Sequence, residues 1–317
     1  MNNNRAPVLL GACVLCFSMT VIASAQQRSR FVWPLSRQAK PIAPLVSTFG
    51  PRVNAADQGA YAFHRGIDIP AASGSPVYAI ADGVVRLAGS YEYYSTPVVQ
   101  LRHYKNASQS CQNGGCFYTN YMHLSKVAVA EGKAVRQGDL IGYSGDTPDE
   151  IGQLHFEVRD GGVYQQHCIH PLTVLPYQNR LPPKITSVEL HAAGETGALT
   201  ITLSTPRSEC DLKRVDVTVF DAGRMIATRT YDLVELNRKY SPQDNPNSLI
   251  QSQDFQQVIA QPKFLADKQD YELTLIFYQL PGIVAGNAYQ VKVSAVDAGG
   301  KSIDISRRLR AEQREQN

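Results

Sequence analysis

Net charge is nearly absent from this chain: 31 lysines and arginines face 28 acidic residues, leaving +3. No basic run is interleaved with aromatics either, so nucleic acid is not an expected partner, because phosphate binding needs clustered cations and stacking surfaces. Helical periodicity is missing from residues 45–175, where no apolar 3.6-residue pattern lasts three turns, and a helical core is excluded there. No internal repeat or low-complexity tract stands out. Beyond the first 25 residues no apolar run reaches the ~20 residues of a spanning helix, so the mature chain is expected to have no membrane span. What is present suits a folded protein. Apolar residues make up 43% of the chain and charged ones 19%, which argues against disorder. A length of 317 residues suggests two domains.

The N-terminus sets the expected compartment. Arg5 precedes an apolar stretch from Val8 to Ile22, and Ala23-Ser24-Ala25 forms a small-x-small site. Residues 1–25 are read as a signal peptide cleaved before Gln26, and the protein as exported, periplasmic or secreted. A lipoprotein site at Leu10-Gly11-Ala12-Cys13 is disfavoured by the apolar residues that follow Cys13. Cysteine is scarce, at six residues, and Cys13 and Cys16 leave with the signal. In an oxidising compartment the other four favour disulfides. A local bridge is expected across the Gly-bearing turn Cys111-Gln-Asn-Gly-Gly-Cys116, which leaves Cys168 with Cys210 as an inter-domain tie. A cysteine-ligated zinc site is the alternative.

Residues 26–44 read as a polar, Pro-bearing leader. From there to about Leu175 the chain shows short β-branched runs (Pro76–Ile80, Gly83–Leu87, Val98–His103) punctuated by Gly74, Asp82-Gly83 and Gly89, the pattern of an antiparallel β core. Residues 176–184, with three prolines, form a linker. Beyond it, Val215, Val217 and Val219 alternate with polar residues, as do Leu273, Leu275 and Phe277, and Asp297-Ala-Gly-Gly300 is a hairpin signal. Residues 185–317 are therefore expected to form a β-sandwich-like accessory domain, with a short helix in the polar insertion from Tyr240 to Phe264. The whole chain reads as all-β.

Chemistry-bearing residues cluster in three separated segments: His64-Arg-Gly-Ile-Asp68, Tyr121-Met-His123-Leu-Ser125 and Gln153-Leu-His155-Phe-Glu157. Taken singly, each histidine is more often a hydrogen-bonded core or surface group. Period two puts Gln153, His155 and Glu157 on one face of a strand. Gly66 lets the backbone bend closely around a site, and Pro70 fixes where that segment leaves. His103 is a candidate for the site edge, while His167, His170 and His191 are read as packed or solvated.

Together these segments carry a resemblance. In order, Ser47-Thr-Phe-Gly-Pro-Arg52, His64-Arg-Gly-Ile-Asp68, Gly74-Ser-Pro-Val-Tyr-Ala79, Asp82-Gly-Val-Val85, Tyr121-Met-His-Leu-Ser125, Gly138-Asp-Leu-Ile-Gly142 and Leu154-His-Phe-Glu-Val158 resemble the lysostaphin/LytM-type zinc metallopeptidases, which cut peptide bonds in bacterial peptidoglycan. The resemblance covers residues 45–175 and implies a LytM-type antiparallel core, of duplicated hybrid-motif kind. It implies that His64, Asp68 and His155 hold Zn2+ and that His123 acts at the water or the developing oxyanion. Two histidines and a carboxylate with an open fourth position are a usual catalytic zinc set.

One position departs. The family normally reads His-Leu-His, and this chain has Gln153-Leu154-His155; the stretch Gly145–Gly152 is also one residue shorter, with Pro148 in it. The missing histidine is the usual general base. A glutamine amide accepts no proton near neutral pH but can orient a water by hydrogen bonding, and His123, Asp149 or Glu150 are the other groups that could take a proton. The expected function is an exported zinc metalloendopeptidase acting on peptidoglycan stem or bridge peptides, slowed by Gln153. The alternative is an impaired module that binds peptidoglycan or regulates another cell-wall hydrolase.

Overall fold

The computed structural model describes residues 30–35, 45–54, 60–106, 110–147, 150–177, 181–194, 196–206, 211–240, 258–265 and 270–313. The expected signal peptide, most of the leader and Cys210 lie outside the described residues. No helix among the described residues is long and apolar enough to cross a membrane.

The all-β reading holds. Strands β1 (Gly50–Asn54) and β2 (Ala60–His64) form a hairpin that delivers His64 at its end. Next come β3 (Ile67–Pro70), β4 (Pro76–Tyr78), β5 (Gly83–Gly89), β6 (Val98–Tyr104), β7 (Cys116–Met122), β8 (Leu124–Val127), β9 (Ala134–Val135), β10 (Leu140–Thr147), β11 (Glu150–Asp160) and β12 (Cys168–Ile169). These ten build one antiparallel sheet ordered β4-β10-β11-β7-β6-β5-β9, with β3 and β12 also on β11 and β8 on β10. Strand β11 is its hub, because it is long enough to pair with four neighbours along its two edges. Its alternation explains its place: Leu154, Phe156 and Val158 are fully buried on one face, as expected for a strand packed on a core.

After Pro176 the chain forms β13 (Lys184–Ala193), β14 (Thr196–Pro206), β15 (Leu212–Asp221), β16 (Arg224–Asp232), helix α1 (Leu233–Tyr240), β17 (Val258–Leu265), β18 (Asp270–Pro281), β19 (Ala288–Asp297), β20 (Ser302–Arg310) and β21 (Glu312–Gln313). They make a five-stranded sheet, β17-β18-β14-β13-β21, and a four-stranded one, β16-β15-β19-β20. Val215, Val217 and Val219 from one and Leu273, Leu275 and Phe277 from the other are buried together in the core, as their alternation predicts. The short β21 pairs parallel to β13, and helix α1 starts ahead of the polar insertion, whose own expected short helix falls outside the described residues. Asp232 explains that start: its Oδ1 accepts from the Val234 and Glu235 amides at 3.0 Å each, an N-cap that a strand-ending aspartate supplies. Residues 241–257 of the insertion lie outside the described residues.

Cys111 and Cys116 form the expected local disulfide. Cys168 is buried and unpaired among the described residues, and burial pushes its thiol up to about 12; its expected pairing with Cys210 falls outside them.

Candidate metal centre

Strand register brings two of the three expected ligands side by side. Asp68 on β3 is the direct cross-strand partner of His155 on β11, so their side chains leave the same sheet face. The β1–β2 hairpin then sets His64 over this pair. His64 Nε2 lies 3.1 Å from Asp68 Oδ1 and 2.9 Å from His155 Nδ1, and His155 Nδ1 lies 2.7 Å from Asp68 Oδ1. All three residues are buried. Gly66 permits the approach: a Cβ there would fall 2.5 Å from Phe156 O and 2.8 Å from His155 Nε2.

The outward nitrogens decide what the inward ones are. His64 Nδ1 donates to Thr48 O at 2.8 Å, with Ser47 Oγ at 3.3 Å. His155 Nε2 faces Glu157 Oε1 at 3.4 Å. With both outer positions acting as donors, the neutral rings turn lone pairs inward toward a carboxylate oxygen. Three acceptors converging on one buried point repel unless a cation joins them. In the protein alone a proton fills that role. Burial opposes charge on His155, but the Asp68 and Glu157 carboxylates outweigh it and raise the imidazole to about 9. Asp68 is held well below the usual carboxylate range: burial opposes this, and the two imidazoles override it. A divalent ion fits the same donor set, and imidazole and carboxylate ligands suit zinc.

His123 is brought to the same place. Its ring lies 5.8 Å from the His155 ring, edge to face. It adopts φ 59°, a left-handed backbone conformation uncommon outside glycine and often found where function fixes geometry. The Thr96 hydroxyl accepts from its backbone amide at 3.0 Å and lies 3.4 Å from its Nδ1. Gln153 is buried on the same face as His155, and its Oε1 has no hydrogen-bond partner among the described residues. That leaves an available acceptor beside the cluster.

Other expectations fare differently. His103 is not at the site edge. It is buried in the sheet, bonded to Asp82 O and Thr119 Oγ1 at 2.8 Å each and stacked on Phe117, and burial lowers it to about 4. His170 is fully buried and accepts from the Leu172 amide. Asp149 lies outside the described residues.

Sequence reasoning missed the support beneath His155. Glu157 is bonded by Asn120 Nδ2 at 2.7 Å and by Arg159 Nη2 at 2.6 Å. Burial would raise its carboxyl, and Arg159 and His155 hold it well below the usual range instead. Asn120 in turn accepts from Gln100, and Gln100 from Arg86, across neighbouring strands. The period-two pattern had placed Glu157 on the correct face, and that was the available signal. A carboxylate on the outer nitrogen of a ligating histidine fixes the tautomer, so Glu157→Gln is expected to weaken zinc binding by about 10–100-fold, measured by competition with a chromophoric chelator.

Residues 62–167 match Peptidase family M23. An uncharacterised metalloprotease of Haemophilus influenzae is 34% identical over 143 residues, covering 45% of this chain and 26% of that protein. The peptidoglycan DD-endopeptidase ShyA of Vibrio cholerae is 36% identical over 96 residues, 30% of this chain and 20% of that one. The chain thus spans only 20–26% of the length of these two relatives. Among solved structures, the catalytic domain of lysostaphin from Staphylococcus simulans is 29% identical, with a TM-score of 0.34 over 41% of this chain and 90% of that one. Through residues 62–167, this chain is similar to Peptidase family M23.

Proposed function

We propose that the protein is an exported zinc metalloendopeptidase acting on peptidoglycan peptides, with His64, Asp68 and His155 as the metal ligands. The observation that carries this reading is the meeting of three lone-pair donors within 3.1 Å of one another, each outer imidazole nitrogen already engaged. Zinc, when bound, polarises a scissile carbonyl and lowers the pKa of water to about 7. The chain's own residues do the rest. His123, fixed by Thr96, hydrogen-bonds the developing oxyanion or passes the proton to the leaving amine. Gln153 Oε1 orients the attacking water by accepting one of its hydrogens, and leaves it without a side-chain base. The DD-endopeptidase activity named for ShyA supports peptidoglycan as the substrate. Zinc content of the purified chain and release of muropeptides from sacculi test the proposal. A protein that holds one zinc per chain yet cuts neither sacculi nor short wall peptides sinks it.

Gln153 favours one second reading: a module that occupies peptidoglycan or regulates another wall hydrolase while turning over little substrate itself. The two differ in how the site answers a restored histidine.

A further inference from the structure

Helix α1 belongs to the C-terminal sheets in sequence but touches the segment that carries His64. Leu233, on its first turn, is buried against Gly50: a Cβ on that glycine would come 3.2 Å from Leu233 Cδ1. Gly50 is the register partner of His64 in the β1–β2 hairpin. Asn237 lies four residues on, hence on the same helix face, and is completely buried. Its Oδ1 accepts from Arg65 Nε at 3.2 Å, and Arg65 is the residue after His64. Its Nδ2 donates to Gln165 O at 2.9 Å and Cys168 O at 3.2 Å. Cys168 opens β12 and pairs with Arg159 on β11, the strand of His155.

One carboxamide therefore bonds both halves of the metal trio's scaffold. Asparagine is a poor helix former because its amide competes for backbone groups, so helix propensity does not account for its place here. We propose that Asn237 is a positioning residue for the metal centre: it fixes the spacing between the His64 segment and the β11–β12 pair, so that the C-terminal sheets brace the site through α1. This rests on the metal-ligand reading above. On it, the C-terminal sheets act on the site as a fixed buttress.

The test uses the full chain. In the metal-free protein, Asn237→Ala is expected to speed amide exchange at residues 64–68 by about tenfold, by raising local opening. Zinc affinity, read by chelator competition, is expected to fall about tenfold. Val291→Ala separates positioning from general loss of stability. Val291 is a buried core residue opposite Val219, at the other end of β15 from Arg214, which pairs with the Asp232 that leads into α1. That variant is expected to leave exchange at 64–68 and zinc affinity within about twofold of the natural chain. Asn237→Asp keeps the acceptor for Arg65 and loses both donations; it is expected to fall between the two and replaces the alanine variant if that one does not fold. Exchange at 64–68 within about twofold of the natural chain in the Asn237 variants overturns the proposal. A natural chain that takes up no zinc defeats the proposed function, while exchange in the metal-free chain still decides the role of Asn237.

Discussion

A Gln153→His chain is expected to release muropeptides from sacculi about 10²-fold faster than the natural protein, because general acid–base help is worth roughly 10²–10⁴-fold. The side chain is buried beside His155, and its Oε1 bonds nothing among the described residues. An imidazole there gains the ability to take a proton. Zinc affinity is expected to stay unchanged, since Gln153 is not among the three converging donors. The rise should therefore appear in kcat per mole of bound zinc. A natural chain near background combined with a large gain supports the regulatory reading, and a measurable natural rate with the expected gain supports a slowed enzyme. An unchanged rate shows that Gln153 is not what limits proton transfer.

Asp68→Ala is expected to abolish hydrolysis and to weaken zinc binding beyond the 10–100-fold that loss of an outer-shell partner costs. Two imidazoles alone leave half of a tetrahedral site without protein ligands. The fold should survive, because what Asp68 gives the sheet is its backbone: its amide donates to Ser47 O at 3.0 Å, and its carbonyl accepts from the Val46 amide at 2.9 Å. The same substitution removes the main carboxylate partner of His155 and should return that imidazole from about 9 toward lower values, since burial then acts with less opposition. Far-UV circular dichroism, zinc titration and histidine NMR titration check the three parts. Retained micromolar zinc binding by the variant would rule Asp68 out as a ligand.

Much of the architecture was legible because it is local. Alternation along Leu154–Val158 and along Val215–Val219 predicts strands; burial alternates with it along Val215–Val219, whereas along Leu154–Val158 the polar face that carries His155 and Glu157 is buried as well. Helix α1 was not legible for a related reason: eight residues give too few turns for a clear period, and the start depends on the Asp232 cap. His103 shows the limit of motif context. It ends a strand of the same sheet, yet its pleat position turns it toward Asp82 and Thr119 and away from the cluster.

By itself the sequence determined the β character of both halves and, through ordered motifs, the residues with metal-ligand chemistry, since residue type and period two are properties of short segments. Only the tertiary structure decided that Asp68 faces His155 across a register, that Glu157 and Thr48 take the outer nitrogens, and that Asn237 reaches across to Arg65. Those partners stand 87 residues apart for Asp68 and His155 and 172 apart for Arg65 and Asn237. Contacts over such separations are fixed by strand pairing and packing of the whole chain, which no local pattern encodes.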